Sequence, residues 1–389
     1  MPLTEYQQMY LRHCNHRWNV KTGATGSGKS WIDYAVTIPK RIMACRGEGL
    51  IVLIGNTQGT LERNILDPMR NIWGDVLVGT ISSKNTVQLF GKKCYAIGAD
   101  KKNQVAKIQG ATMEYVYGDE VTTWSVEVFQ MLKSRLRCEH SRFDGTCNPD
   151  SPLHWFKEFL DSDADIYQQS YTIDDGCLPE KIVEELKKEY AGTVYYARYI
   201  LGQWQRAEGL VYPTFNADKY VVTNCSDSGL YYISCDYGTM NPCSMGLWCI
   251  SDNTAYRIAE YYYNGREARM QKTDEEYYSE LVKLAGDRTL QAIVIDPSAA
   301  SFIETIRRHG KYRVMKANNA VLDGIRVTNS LLNAGRIRIH ESCKDILREF
   351  GAYSWDDKKQ EDAVIKENDH AMDDMRYFCM TILHKRFRW

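Results

Sequence analysis

The sequence predicts an α/β chain of two successive domains, the first built on a mostly parallel sheet and the second on a mixed one. Three observations carry this expectation. Residues 23–30 read Gly-Ala-Thr-Gly-Ser-Gly-Lys-Ser and lead into a helical run from Trp31 to Ala44. Short apolar runs alternate with helical stretches through the first half, the pattern of a parallel sheet covered by helices. In the second half two strand-like runs each deliver an aspartate, with a hairpin between them and an acidic helical run near the end.

Taken in order, residues 23–30 form a complete G-x-x-x-x-G-K-[ST] phosphate-binding loop. Gly23, Gly26 and Gly28 let the backbone curl so that successive N–H groups, those of Thr25 and Ser27 among them, point at phosphate oxygens. Lys29 reaches the β- and γ-phosphates, and the Ser30 hydroxyl sits on Mg²⁺. The glutamines of Leu3–Gln8 stand upstream, where an amide such as that of Gln7 can read the adenine edge with one donor and one acceptor. Leu50–Ile54 is a buried parallel strand, followed by Gly55–Gly59 and a helical stretch through Met69. Met113–Gly118 is a further strand, ending in Asp119-Glu120. Asp119 suits hydrated Mg²⁺ and Glu120 suits a base for the attacking water, a pairing for a hydrolase rather than a kinase. After the next strand, Thr146 and Asn148 are placed to sense the γ-phosphate.

Gln203–Phe215 reads as an irregular connector, and the expected division is 1–204, a connector at 205–228, and 229–389. Leu230–Cys235 is a strand delivering Asp236. Met245–Ile250 and Ala255–Tyr263 pair through the turn at Ser251–Asn253. Gln291–Ile295 delivers Asp296. In the helical run Asn368–Tyr377, His370 and Asp373 lie three apart on one face. Asp236, Asp296 and Asp373 are hard oxygen donors suited to Mg²⁺ or Mn²⁺, and two such ions about 4 Å apart activate water and stabilise the leaving oxygen of a phosphodiester.

With 389 residues, 44% hydrophobic and 25% charged, the composition is that of a soluble globular protein. No window approaches 18 uninterrupted apolar residues and Met-Pro-Leu-Thr-Glu-Tyr carries no signal pattern, so a cytosolic protein without a membrane partner is expected. The twelve cysteines include no Cys-x-x-Cys pair, and Cys235, Cys243 and Cys249 fall in or beside apolar runs, which favours reduced thiols. A net charge of −1 gives no global field for nucleic acid. The basic clusters Arg307, Arg308, Lys311, Arg313, Lys316 and Lys385, Arg386, Arg388 read first as solvated faces.

The whole set resembles the large subunit of a tailed-bacteriophage terminase. It is carried by Gly23–Ser30, Thr57–Asn64, Tyr117–Glu120, Thr146–Pro149, Gly202–Phe215, Cys235–Gly238, Asp296–Ser298 and Asp369–Asp373. The resemblance implies a P-loop (RecA/ASCE-like) ATPase domain followed by an RNase H-like nuclease domain. It implies ATP and Mg²⁺ as cofactors, with Mn²⁺ able to substitute in the nuclease. It further implies double-stranded DNA, a portal protein on a procapsid and a small terminase subunit as partners, a homo-oligomeric ring when assembled with a monomer in isolation, and the host cytoplasm as the place of work. By the same resemblance Thr146 with Asn148 couples hydrolysis to movement, and His370 assists the nuclease acids. Many relatives carry an arginine where Thr25 stands here, so the transition-state arginine is expected in trans, from Arg135, Arg137 or Arg142. Asp374 leaves the third metal ligand open, the spacing from His370 favouring Asp373. The rival reading is a DNA translocase or helicase without nuclease activity, and a second rival is a capsid component with a degenerate ATPase fold.

Overall fold

The computed structural model describes residues 3–101, 104, 106, 109–176, 178–225, 228–359 and 361–387, so Arg388 of the C-terminal basic cluster lies outside the described residues. The chain forms two compact units. The first holds the chain through Glu184 together with Tyr196–Arg206, and the second holds Glu185–Tyr195 and the chain from Ala207 onward.

The first unit is a seven-stranded sheet of β1 (Trp18–Gly23), β2 (Leu50–Gly55), β3 (Thr86–Leu89), β4 (Lys92–Gly98), β5 (Met113–Gly118), β6 (Arg142–Cys147) and β7 (Ile166–Tyr171), in the order β3-β4-β2-β5-β6-β1-β7. All pairs are parallel except the hairpin β3–β4. Helices cover both faces, which is why β2 is apolar throughout: Ile51 and Leu53 enter one core, Val52 and Ile54 the other. The expected strands at 50–54 and 113–118 form, while β3–β4 and β7 carry no strand signal in the sequence analysis. The helix after the phosphate loop starts at Lys29 and reaches Ala44, but not as one regular helix. It passes through a π turn at Asp33–Thr37 just before Pro39, and the stretch after β2 repeats this with a π turn at Glu62–Leu66 before Pro68. Proline lacks the N–H that a regular ladder requires, and the wider turn takes up the missing bond.

The second unit is a mixed sheet of β8 (Val221–Val222), β9 (Leu230–Asp236), β10 (Cys243–Ser251), β11 (Thr254–Tyr263), β12 (Leu290–Ile295), β13 (Val314–Lys316) and β14 (Ile337–His340), ordered β13-β12-β9-β10-β11-β14-β8. β9, β10 and β11 are antiparallel neighbours, and the remaining pairs are parallel. Ile233, Cys235, Ile293 and Ile295 face the helices Asp274–Ala285 and Ala300–His309. The opposite face takes the helix His370–Phe378, with Val294 packed against Tyr377. The stretch 205–228 is more structured than a connector. Phe215 stacks on Phe350 at 3.7 Å, Asn329 Nδ2 donates to the Val211 carbonyl, and β8 pairs with β14. Its aromatic residues supply apolar area that the small sheet needs covered. Every described cysteine is a free thiol, and among the described residues no helix is long and apolar enough to cross a membrane.

Candidate nucleotide and metal sites

In the first sheet β5, β6 and β1 are consecutive neighbours, so their C-terminal ends deliver three loops to one place. After β1 the chain turns at Gly23 (φ 131°), where a Cβ would stand 2.0 Å from the Tyr171 carbonyl oxygen; Gly26 and Gly28 also have positive φ (67° and 80°). Lys29 is buried, its ammonium donating to the Gly23 carbonyl at 2.9 Å, to that of Ala24, to Ser27 Oγ at 3.3 Å and to Asn148 Oδ1 at 3.2 Å. Burial lowers its pKa to about 8, opposed by Cys147, Glu120 and Asp119. An ammonium whose charge is penalised by burial, in a cradle of carbonyls, lacks its natural counter-anion, and a phosphate supplies one. Asp119, after β5, accepts from Thr146 Oγ1 at 3.2 Å; burial, then Glu120, raises it to about 7. A hydrated cation beside it restores its charge. The donor set therefore fits a nucleotide with its metal.

Glu120 sits in left-handed backbone (φ 49°, ψ 51°), sparsely used by non-glycine residues and costing about 1–3 kcal/mol. Ser30 and Glu120 are half-buried at this site, and Thr25 is exposed with its N–H on the Tyr199 carbonyl. Gln7 has partners at both amide atoms: its Oε1 accepts from Thr4 N in a capping box that starts Glu5–His13, and its Nε2 donates to the Gly28 carbonyl at 3.4 Å. None of the three expected arginines touches the loop of its own chain. Arg135 lies on Met131 Sδ, Arg137 donates to Ser134 O, and Arg142 donates to Ser141 O.

In the second unit β12, β9 and the C-terminal helix gather the acids. His370 Nδ1 lies 2.8 Å from Asp236 Oδ2 and donates to it. The Tyr377 hydroxyl donates to Asp236 Oδ1 at 3.4 Å and also helps lower the pKa of Asp296. Burial, partly offset by His370, pushes Asp236 to about 6. Asp296 is held below the usual carboxylate range: burial opposes this, but Ser298, Asn319 and Tyr377 outweigh it. His370 is raised, Asp236 overcoming the burial that lowers it.

Asp373 and Asp374 part company. Asp374 is 0% exposed, and its oxygens accept from Ser234, Ser244 and the guanidinium of Arg257, itself 0% exposed. It is a buried counter-ion with no lone pair facing solvent. Asp373 Oδ1 is fixed by Arg376 at 2.9 Å, while Oδ2, among the described residues, meets only Lys366, 3.4 Å away and 61% exposed. Lys366 also reaches Asp369 Oδ2 at 3.3 Å. An ammonium bridging two carboxylates marks a spot that attracts cations, and a mobile side chain yields it readily. Among the described residues no three Asp, Glu, His or Cys side chains stand ready as a metal cage. The acids are spaced by hydrogen-bond partners that a divalent ion would replace. Asp236, His370, Lys366, Asp369 and Asp373 line a cavity of about 1020 Å³, and Asp296 does not.

Lys366, Asp369 as a site residue, and Tyr377 were missed in the sequence. So was Glu349, which is 0% exposed and accepts from the N–H groups of Ala371 and Met372 at 2.7 and 3.2 Å, capping the helix that carries His370 and Asp373. Only a tertiary structure reveals such partners.

A P-loop sheet followed by an RNase H-like sheet with an acid cluster defines a class, and comparison with known proteins places the chain within it. Residues 22–218 match the family model "Terminase large subunit, T4likevirus-type, N-terminal" and residues 236–381 match "Terminase RNaseH-like domain". The chain belongs to the terminase large-subunit family. It is 33% identical to the large terminase of a thermophilic bacteriophage, covering 98% of this chain and 100% of that one with a TM-score of 0.90. The same relative in complex with ATP-γ-S aligns at 33% identity over 98% and 100% of the two chains with a TM-score of 0.87. A curated relative, "Terminase, large subunit" of Escherichia phage T5, is 22% identical over 247 residues, 59% of this chain and 56% of the relative, so the match spans little more than half of that protein.

Proposed function

We propose that this chain is a packaging motor subunit that hydrolyses ATP to drive double-stranded DNA into a viral procapsid and cuts concatemeric DNA at a two-metal site. The observation that carries the reading is the pair of cross-strand contacts Lys29–Asn148 and Thr146–Asp119, which links phosphate loop, metal aspartate and sensor residues at one sheet edge. Residues 1–204 do the motor work and 229–389 cut, with the intervening 205–228 packed largely within the second unit. Lys29 exchanges loop carbonyls for phosphate oxygens, with Gly23, Gly26, Ser27 and Gly28 lending backbone N–H groups and Thr25 lending its own only by releasing the Tyr199 carbonyl. Ser30 and Asp119 hold Mg²⁺, and Glu120 takes the proton of the attacking water. Gln7 reads adenine by exchanging its Gly28 contact. Loss of the γ-phosphate is felt through Asn148 and Thr146. The nucleotide complex of the thermophilic-phage relative supports this half.

At the second site Asp236, Asp296 and Asp373 Oδ2 hold divalent cations, and His370 steadies Asp236. Bound Mg²⁺ or Mn²⁺ supplies water activation and charge neutralisation at the leaving oxygen. The partners are double-stranded DNA, a portal on its procapsid, a small terminase subunit and further copies of this chain in a ring, in the host cytoplasm. Measuring phosphate release and Mn²⁺-dependent plasmid nicking side by side tests the proposal. Lys29→Ala and Glu120→Gln are expected to lose phosphate release and keep nicking, and Asp236→Asn the reverse. Unchanged turnover in Glu120→Gln removes it as the base, and nicking by Asp236→Asn removes the nuclease assignment.

A further inference from the structure

Arg313 and the pair Lys385–Arg386 are more than seventy residues apart and look like separate solvated faces in the sequence. In the second unit they meet. With Tyr232, Gln291 and Thr381 they line a cavity of about 400 Å³ that no acidic side chain lines. Several other cations of this unit are matched, among them Arg257 to Asp374, Arg376 to Asp373 and Arg308 to Glu304. Among the described residues Arg313, Lys385 and Arg386 have no carboxylate partner. Three unmatched cations beside hydroxyl and amide donors are the side chains that contact phosphate and sugar oxygens in nucleic-acid complexes.

Its place in the fold links it to the acids. Tyr232 lies four residues before Asp236 on β9, and Ala292, which also lines the cavity, four before Asp296. Strand periodicity puts each pair on one face of the sheet, about 13 Å apart at ~3.3 Å per residue. Thr381 follows Tyr377 by one helical turn. The edge strand β13 begins just after Arg313 and ends at Lys316, which pairs with Ile295 beside Asp296. Basic residues thus stand at both ends of the sheet edge that joins the cavity to the acid site.

We infer that this cavity is a phosphodiester subsite, where Arg313, Lys385 and Arg386 hold the backbone of a duplex about four base pairs from the bond cut at Asp236 and Asp296. The inference rests on the nuclease reading of those acids. The test uses the full chain without nucleotide and with divalent ions chelated, reading anisotropy of a fluorescent 30-base-pair duplex across a salt series (about 0.05–0.3 M). The triple variant Arg313→Ala/Lys385→Ala/Arg386→Ala is expected to bind at least about tenfold more weakly near 0.1 M salt, with the slope of log affinity against log salt reduced by about 2–3, since each phosphate contact contributes about 0.9. Arg313→Lys/Lys385→Arg/Arg386→Lys is expected to keep most of the slope. Arg307→Ala/Lys311→Ala, which removes two exposed charges outside the cavity, is expected to leave it nearly unchanged. Wild-type affinity and slope in the triple variant overturn the subsite. An equal loss in the Arg307/Lys311 control overturns it in favour of net charge. Unchanged duplex binding with lost binding to labelled polyglutamate overturns it in favour of an acidic protein partner. Mn²⁺-dependent nicking by the wild type is scored separately, so failure of the nuclease reading is visible on its own.

Discussion

Asp374 has both oxygens filled by Ser234, Ser244 and Arg257 inside the second unit, whereas its neighbour Asp373 keeps one oxygen facing an exposed lysine. Removing the Asp374 charge leaves the buried Arg257 guanidinium, among the described residues, only Glu260, at 3.2 Å, as a carboxylate partner, with its Nε already lacking one. Asp374→Asn is therefore expected to destabilise by about 3–5 kcal/mol, read as a large fall in melting temperature. Asp236→Asn removes a carboxylate that burial already penalises, so the metal-free protein is expected to melt no lower than wild type while losing cleavage. Equal melting points for the two variants would refute the division of roles. Glu114 shows the same logic away from both sites. Its carboxylate is buried but accepts the N–H groups of Gly47 and Glu48 at 3.0 Å, that of Arg46, and His140 Nε2 at 2.8 Å. Burial raises its pKa, yet these donors together hold it below the usual range. A depressed folded-state pKa means stabilisation that is present above the unfolded value, about 4.3, and lost as pH falls through the folded one. Glu114→Gln is expected to lower stability at pH 7 by about 1–3 kcal/mol and to flatten the acid limb of the stability curve; parallel acid limbs would contradict this.

The helix His370–Phe378 holds the acid site together, and its first turn is fastened by Glu349 rather than by a local cap. Glu349→Ala leaves two buried N–H groups without acceptors. It is expected to cost about 1–2 kcal/mol and to raise the Mn²⁺ concentration needed for half-maximal nicking. An unchanged metal requirement would show that the helix keeps its place without the cap. The same element shows where sequence reading stops. His370 and Asp373 are legible because three-residue spacing on a helix is a local rule, and Asp236 and Asp296 because a buried strand followed by an acid is a local pattern. Glu349, Lys366 and Tyr377 act through partners distant in sequence or on other elements. Likewise β3–β4 was missed because its turn is Phe90-Gly91, both at positive φ (49° and 77°), where Asn-Gly or Asp-Gly is the usual signal. The phosphate loop, by contrast, is legible because it is one contiguous local motif, although Tyr171 and Leu178 also leave no room for a Cβ at Gly23 and Gly26.

For the whole molecule, each of two compact units presents acids at the ends of its own strands, Asp119 and Glu120 in the first and Asp236 and Asp296 in the second. Divalent ions without nucleotide are expected to raise the melting temperature with the logarithm of ion concentration once it exceeds the dissociation constant of the acid site, and Asp236→Asn to abolish that rise. With Thr25 in the phosphate loop and no arginine of Arg135, Arg137 and Arg142 touching it, the isolated chain is expected to hydrolyse ATP slowly. Assembly on a portal is then expected to accelerate turnover, by as much as 10³–10⁵ for an arginine supplied in trans. Equal turnover per chain in both states would remove that proposal. The central claim is that Asp236 and Asp296 share divalent metal. The most direct measurement is anomalous diffraction from crystals soaked in Mn²⁺. The account predicts Mn²⁺ density within about 2.5 Å of both carboxylates, with Asp373 Oδ2 as a further ligand and the Lys366 ammonium displaced. Mn²⁺ absent from these carboxylates, or bound only between Asp369 and Asp373, would contradict it.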